Sequence, residues 1–283
     1  MAQLLVVEAL SSPRLPAGVS TQAALGTMLG GLCARGGVPV GAVQAVLIGG
    51  GGPGLGRLAL AASGLPLTLP AGELGGPGLA ALSLAAPHAL PERAGVWLLA
   101  EASPAPAGLS PGPQAQARAE WPSWSLASRT EEEGPERLDH EGVFVDSEEG
   151  SLRVGGLALC GSEAQRRHRL RVRARLAAIA VGAGDPIDPV EVLARAVEEA
   201  LEAAGLGLHE VGDLCIVDAC EVEALRERLL LEPERVLRVG ENGLALVARQ
   251  AHGLASGGPR YALCAGGDGR GQAWAAVLDR EWG

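Results

Sequence analysis

A layered α/β protein built from two copies of one strand–helix unit is the fold class this sequence predicts, and three observations predict it. Short apolar runs of strand length alternate with segments of helical period along most of the chain. Two stretches, LCARGGVPVGAVQAVLI and LEAAGLGLHEVGDLCIV, pass through the same succession of helix end, glycine and apolar strand. Forty-two glycines with only 2% aromatic residues call for a core of small aliphatic side chains, tight turns and close helix–strand contacts.

In the first copy, Gln3 to Ala9 is a β-branched apolar run and reads as a strand. Ser20 can cap a helix from Thr21 to about Ala34, whose Leu25, Met28, Leu29 and Leu32 fall on one face, and Gly36-Gly37 stops it. Val43 to Ile48 is a buried strand, followed by a glycine-rich turn and a short helix from Arg57 to Ser63. Pro66 to Pro70 reads as a short extended piece, Gly78 to Pro87 as a helix and Gly95 to Ala100 as a strand. In the second copy, Arg171 to Val181 alternates as a strand, with the basic cluster Arg166 to Arg175 as its solvated face. A helix follows Asp188-Pro189 and ends at Gly205. Asp213 to Val217 is a strand, Cys220 to Leu231 a helix, Arg235 to Val239 extended and Gly243 to Ala255 a helix. Tyr261 to Ala265 and Trp274 to Asp279 form a terminal hairpin. The first unit takes residues 1–102 with 150–169, and the second takes 170–283. Between them, residues 103–149 are rich in Pro, Gly, Ser and acid and read as a linker excursion whose Trp121 and Trp124 dock onto the α/β body; proteases should cut it first near Arg129 or Arg137.

The formal net charge is −10 and every basic side chain other than histidine is Arg, which argues against binding nucleic acid through its phosphates. Five cysteines, with no CxxC pair, fit neither a disulfide framework nor a structural zinc site, so no metal is expected and a reduced, cytoplasmic setting is. No apolar run is long enough to span a bilayer, and the start lacks the basic region of a signal peptide. Gly49, Gly51 and Gly54, with Glu73 beyond, fit a dinucleotide fingerprint, but an unbroken glycine run fits many such patterns, and a tight turn with close helix packing is the alternative.

Three stretches together resemble the thiolase superfamily: VLIGGGGPGLGRLALAASGLPLTLPAGELGGPGLAALSLAA, GDPIDPVEVLARAVEEALEAAGLGLHEVGDLCIVDA and RYALCAGGDGRGQAWAAVLDRE, in the family's order. The resemblance implies a body of two βαβαβαββ halves in α/β/α/β/α layers. It also implies where catalysis would sit. The family's nucleophilic Cys opens the third helix of the first half, and Leu74 or Gly75 stands there. The family's oxyanion-ordering Asn turn reads Asp218-Ala219-Cys220, and the loop carrying the activating His is missing between Arg238 and Gly243, with His252 too far along the next helix. Cys264 matches the family's second acid/base Cys, ahead of a terminal loop with Gly266, Gly267 and Gly269. The family's dimer strand corresponds to Leu67-Thr68-Leu69, which implies a permanent interface of more than about 2,000 Å².

These residues imply a non-catalytic subunit that pairs with an active thiolase or ketoacyl synthase acting on acyl-CoA or acyl-carrier thioesters. Two alternatives stand beside it. One is an enzyme or binder of acyl-CoA with altered chemistry at Cys264; the other is a homodimeric scaffold without a ligand. No cofactor is required, and a CoA thioester is the one ligand the resemblance suggests.

Overall fold

The computed structural model of the chain describes residues 3–12, 15, 19–50, 54–74, 78–89, 95–103, 143–144, 152–217, 222–231, 237–240, 243–268 and 271–281. The first half runs β1 (Leu4–Ser11), α1 (Thr21–Gly36), β2 (Val43–Gly49), α2 (Leu55–Ser63), β3 (Ala71–Leu74), α3 (Gly78–Ala89) and β4 (Val96–Ser103). After β5 (Val143–Phe144) it closes with β6 (Arg153–Gly161). Helix α4 (Ser162–His168) leads to the second half: β7 (Ala174–Ala183), α5 (Pro189–Ala204), β8 (Val211–Val217), α6 (Val222–Arg228), β9 (Leu237–Gly240), α7 (Gly243–Ala255), β10 (Tyr261–Gly267) and β11 (Gln272–Asp279).

The strands lie in the order β3-β2-β4-β6-β1-β7-β11-β10-β8-β9-β5. Numbered within each half, the order is third, second, fourth, fifth, first in one direction, and the mirror of that in the other. In each half the second, third and fourth strands run parallel, and the fifth returns antiparallel. The halves meet where β1 pairs with β7 over Leu4 to Val6.

Three apolar clusters show the layering. Side chains of α1 and α2 pack on the outer face of the first sheet segment, and those of α5 and α6 on the outer face of the second. Between the sheet segments, α3 and α7 share a central core with residues from both halves. The result is an α/β/α/β/α body with two helices enclosed at its centre.

Local sequence accounts for the repeated unit. Helix α1 ends on Gly37 (φ 62°) and α5 on Gly205 (φ 69°), both left-handed, a conformation glycine adopts at no steric cost. Each is followed by a single 3-10 turn, Val40–Ala42 or Leu208–Glu210, and then by a strand. Pro189 opens α5, and Asp188 Oδ1 accepts the Glu191 amide at 3.1 Å.

The structure corrects two expectations. Leu67–Leu69 is not a strand. It is a turn in which the Leu69 amide donates to the Pro66 carbonyl, and Arg57 Nη1 donates to the carbonyls of Leu67 (2.7 Å) and Leu69 (3.1 Å). The edge strand begins after Pro70, at Ala71. The basic cluster is not one strand face either. Its first members form α4, Arg169 turns the chain with φ 53°, and the ladder starts at Ala174. Arg173 and Arg175 turn inward to the buried carboxylates of Glu8 (2.9 Å) and Asp279 (2.5 Å). Within residues 103–149, expected as an excursion, Val143–Phe144 pairs in parallel with β9 at the far edge of the sheet. Trp121, Trp124, Arg129 and Arg137 lie outside the described residues.

Close approach of β6 to the start of α7 depends on Gly155. A Cβ there would stand 2.2 Å from the Ala245 amide nitrogen, where backbone, not a yielding side chain, blocks it. Gly155→Ala should therefore cost about 2–3 kcal/mol in urea denaturation, with the m-value unchanged. A loss under about 0.5 kcal/mol, the range of ordinary surface changes, would show that β6 and α7 are not packed this tightly.

Candidate functional site

The C-terminal ends of the parallel strands from both halves converge on the N-termini of α3 and α7, the place where α/β sheets of this kind hold ligands. Helices α3 and α7 begin alike, with Gly78-Leu79-Ala80 and Gly243-Leu244-Ala245, and they interlock reciprocally. A Cβ on Gly78 would fall 2.6 Å from Leu244 Cγ, and one on Gly243 would fall 2.9 Å from Leu79 Cγ. Each glycine thus makes room for the other helix's leucine, and both leucines are fully buried.

Into this junction β4 sends Glu101, which is 5% exposed. Its Oε2 accepts the Leu244 amide at 2.9 Å, and the amides of Gly78 and Gly243 also donate to its carboxyl group. One carboxyl group therefore takes donors from the first turns of both central helices, which satisfies amides that have no partner within their own helix. Burial raises the Glu101 pKa above the ordinary carboxyl value; the three amide donors act in the opposite direction. The strand faces place Glu101 two residues beyond Leu99 in the central core, as Gly266 lies two beyond Cys264 in the other half. Gly266 has room for no side chain: a Cβ would meet Val217 Cβ at 2.7 Å. Among the described residues, the pseudo-symmetric site is therefore filled from the first half, by Glu101.

The residues singled out in the sequence divide around this junction. Leu74 is the last residue of β3, and its carbonyl accepts the Gly50 amide at 3.1 Å, next to the end of β4. Gly266 is buried against Val217, the last residue of β8, and Gly267 continues β10. Gly75, Asp218, Ala219, Cys220 and Gly269 lie outside the described residues.

Cys264 lies deeper. It is fully buried in register with Cys215 on the neighbouring strand, and Gln250 Nε2 donates to Cys215 Sγ at 2.9 Å. Gln250 is seven residues into α7, about 10 Å from the helix N-terminus. The hydrogen bond with Cys215 and burial push the Cys264 thiol well above its usual range. Burial pushes Cys33 up to about 11 and Cys160 up to about 12, so none of these thiols is poised as a thiolate.

Glu73 serves a different turn. Its two oxygens accept the amides of Gly54 (2.7 Å) and Gly56 (2.8 Å) at the start of α2. A dinucleotide pyrophosphate would need those donors, so the turn is closed by the chain itself, as tight helix packing requires. Among the described residues no three His, Cys, Asp or Glu side chains group as a metal site, and no helix is long and apolar enough to cross a membrane.

His252 sits in the last turn of α7, at the other end of the helix from Glu101. Its Nε2 is 2.5 Å from the Ala9 carbonyl and 4.0 Å from Glu8 Oε1. Burial, more than the charges of Arg173 and Arg35, holds its pKa below 6.5. A histidine with a depressed folded pKa gives its full stability above the unfolded value and loses it as pH falls through that value. Melting temperature should therefore drop below about pH 6.5, and His252→Gln should flatten that limb. An unchanged acid limb in the variant would remove His252 from the account.

Sequence reasoning missed Glu101. It ended the strand at Ala100 and left the acid outside. The available signal was a lone carboxylate closing an apolar strand, WLLAE, in a chain with two helices that both open on Gly-Leu-Ala.

No family model matches the chain, and no curated protein matches it. Among solved structures it is similar to human mitochondrial 3-ketoacyl-CoA thiolase in complex with CoA, with a TM-score of 0.74, 16% identity and 100% of both chains covered. A second structure of human mitochondrial 3-ketoacyl-CoA thiolase matches with a TM-score of 0.70, 15% identity and 98% of both chains covered.

Proposed function

We propose that this chain, which has the thiolase fold, is a non-catalytic subunit that pairs with an active thiolase or ketoacyl synthase handling acyl-CoA or acyl-carrier thioesters. The observation that carries this reading is Glu101. The resemblance assigns the nucleophile to the start of α3, and there the amide donors are already satisfied by a carboxyl group of the chain. A thioester carbonyl that entered would meet a filled acceptor site with no activated thiol described beside it. The depth of Cys264 weighs against altered chemistry at that residue.

The pairing surface in this reading is β3. It is the outermost strand of the first half, and β2 uses only one of its edges. The bonds from Val46 to the Pro70 carbonyl and from Gly50 to the Leu74 carbonyl fix which groups face β2, so the Ala71 and Glu73 amides face away. Among the described residues no second strand pairs with that edge, and an open edge is a template for one. The opposite sheet edge, β9, is covered by β5.

Light scattering on the chain alone and mixed with a catalytically active thiolase or ketoacyl synthase from the same genome is the test. We expect a heterodimer that Ala71→Pro abolishes, because the substitution removes an outward amide and leaves the β2 ladder intact. A homodimer broken by the same substitution would favour the scaffold alternative. A monomer under both conditions would reject pairing altogether.

A further inference from the structure

We infer that Glu101 is an internal ligand: its carboxyl group fills a two-helix acceptor site which, once vacated, binds a free small monocarboxylate of acetate size. The inference rests on the reading that the chain itself fills the junction, and goes further by assigning the junction its own ligand chemistry.

Two independent features point to a site. The first is the donor set. Amides of Gly78, Gly243 and Leu244 come from two different helices, and all meet one carboxyl group that is 5% exposed. A single helix start would need only a local cap; here two helix dipoles face the same group. The second is shape. The Gly78 Cβ position lies 2.2 Å from Glu101 Oε2 and 2.6 Å from Leu244 Cγ, so a side chain on Gly78 would displace this carboxyl from its seat. Leu79 and Leu244 form buried apolar walls, and Gly50 lies under the Glu101 stem, with its Cβ position 3.9 Å from Glu101 Cγ. Among the described residues, these groups pack around the terminal methylene and carboxyl group of Glu101.

Replacing Glu101 by Ala removes one methylene and the carboxyl group, which together have the size of acetate. The donors left behind are buried and cannot all be met by bulk water. Acetate supplies both oxygens to the amides and its methyl group to the leucine walls. Formate supplies the oxygens but leaves the methyl space empty, and propionate exceeds the space by one carbon.

The experiment is thermal unfolding of the wild-type chain and Glu101→Ala in sodium acetate, formate, propionate and chloride at matched ionic strength and pH. For the variant, acetate should raise the melting temperature saturably by roughly 3–6 °C, formate by less, and propionate and chloride by nothing specific. The wild-type chain should not respond. Equal responses of wild type and variant, or equal responses to acetate and propionate, would overturn the proposal. If Glu101→Ala does not fold, Glu101→Gln keeps the volume, and amide exchange is read instead. The Gly78, Gly243 and Leu244 amides should exchange at least about tenfold faster than in wild type while other α3 and α7 amides do not change. Unchanged exchange at those three amides would equally overturn it. Neither failure touches the pairing test, which reads association at β3.

Discussion

Glu101→Ala should destabilise the chain by about 3–4 kcal/mol, because it strands three buried amide donors that a carboxyl group now satisfies. For a domain of this size that is a fall in melting temperature of roughly 6–12 °C. Glu101→Gln, which keeps one acceptor oxygen but points an amide toward donors, should fall between. The pH dependence gives a second readout. A carboxyl whose folded pKa is raised binds its proton more tightly when folded. Its contribution is present at low pH and is lost as pH rises above the ordinary value of 4.5 through the raised one. Glu101→Gln should remove that loss. This slope is opposite in sign to that of His252, whose contribution disappears on the acid side, so the two substitutions flatten different limbs of one stability curve.

The second large effect is expected at Asp279. Its side chain is fully buried, opposite Arg175 in the β7–β11 ladder. It binds Arg175 Nη2 at 2.5 Å and lies 3.5 Å from Arg260 Nε, while its Oδ1 accepts the Glu281 amide at 2.9 Å. Removing one member of a buried pair leaves the other uncompensated, which costs about 3–5 kcal/mol when both are enclosed. The arginine side chains are 32% and 48% exposed, so water recovers part of that, and Asp279→Ala should cost about 2–3 kcal/mol. The double variant Asp279→Ala with Arg175→Met should cost less than Asp279→Ala alone. Additive losses would mean that the two groups are not coupled.

Much of the fold was legible because its signals are local. Helix α7 was read to its observed bounds, Gly243 to Ala255, from its spacing of apolar residues and its opening glycine. The repeated helix end, glycine and strand were visible because Gly37 and Gly205 do the same left-handed work in both halves. Errors arose where local pattern and tertiary partner disagree. Leu170, Val172 and Ala174 do alternate with exposed Arg169 and Arg171, as a strand would. Only from the Arg173 amide, which donates to the Val6 carbonyl, does this stretch join its neighbours, however. At Leu67–Leu69 the prolines and apolar residues suggested an edge strand, but Arg57, ten residues earlier, takes two of the carbonyls and makes a turn. The filled site was the least legible part. Its donors come from residues 78, 243 and 244 and its acceptor from residue 101, and no spacing along the chain announces that they meet.

The central claim is that this thiolase-fold chain carries no acyl group of its own, and intact-mass measurement after incubation with acetyl-CoA or acetoacetyl-CoA tests it most directly. The account predicts an unchanged mass for the wild-type chain, with Glu101 seated on the helix ends and every described thiol buried. A stable acetyl adduct, mapped by peptide analysis to Cys264, Cys220 or Glu101 itself, would contradict it and make the chain an acyl-transferring enzyme.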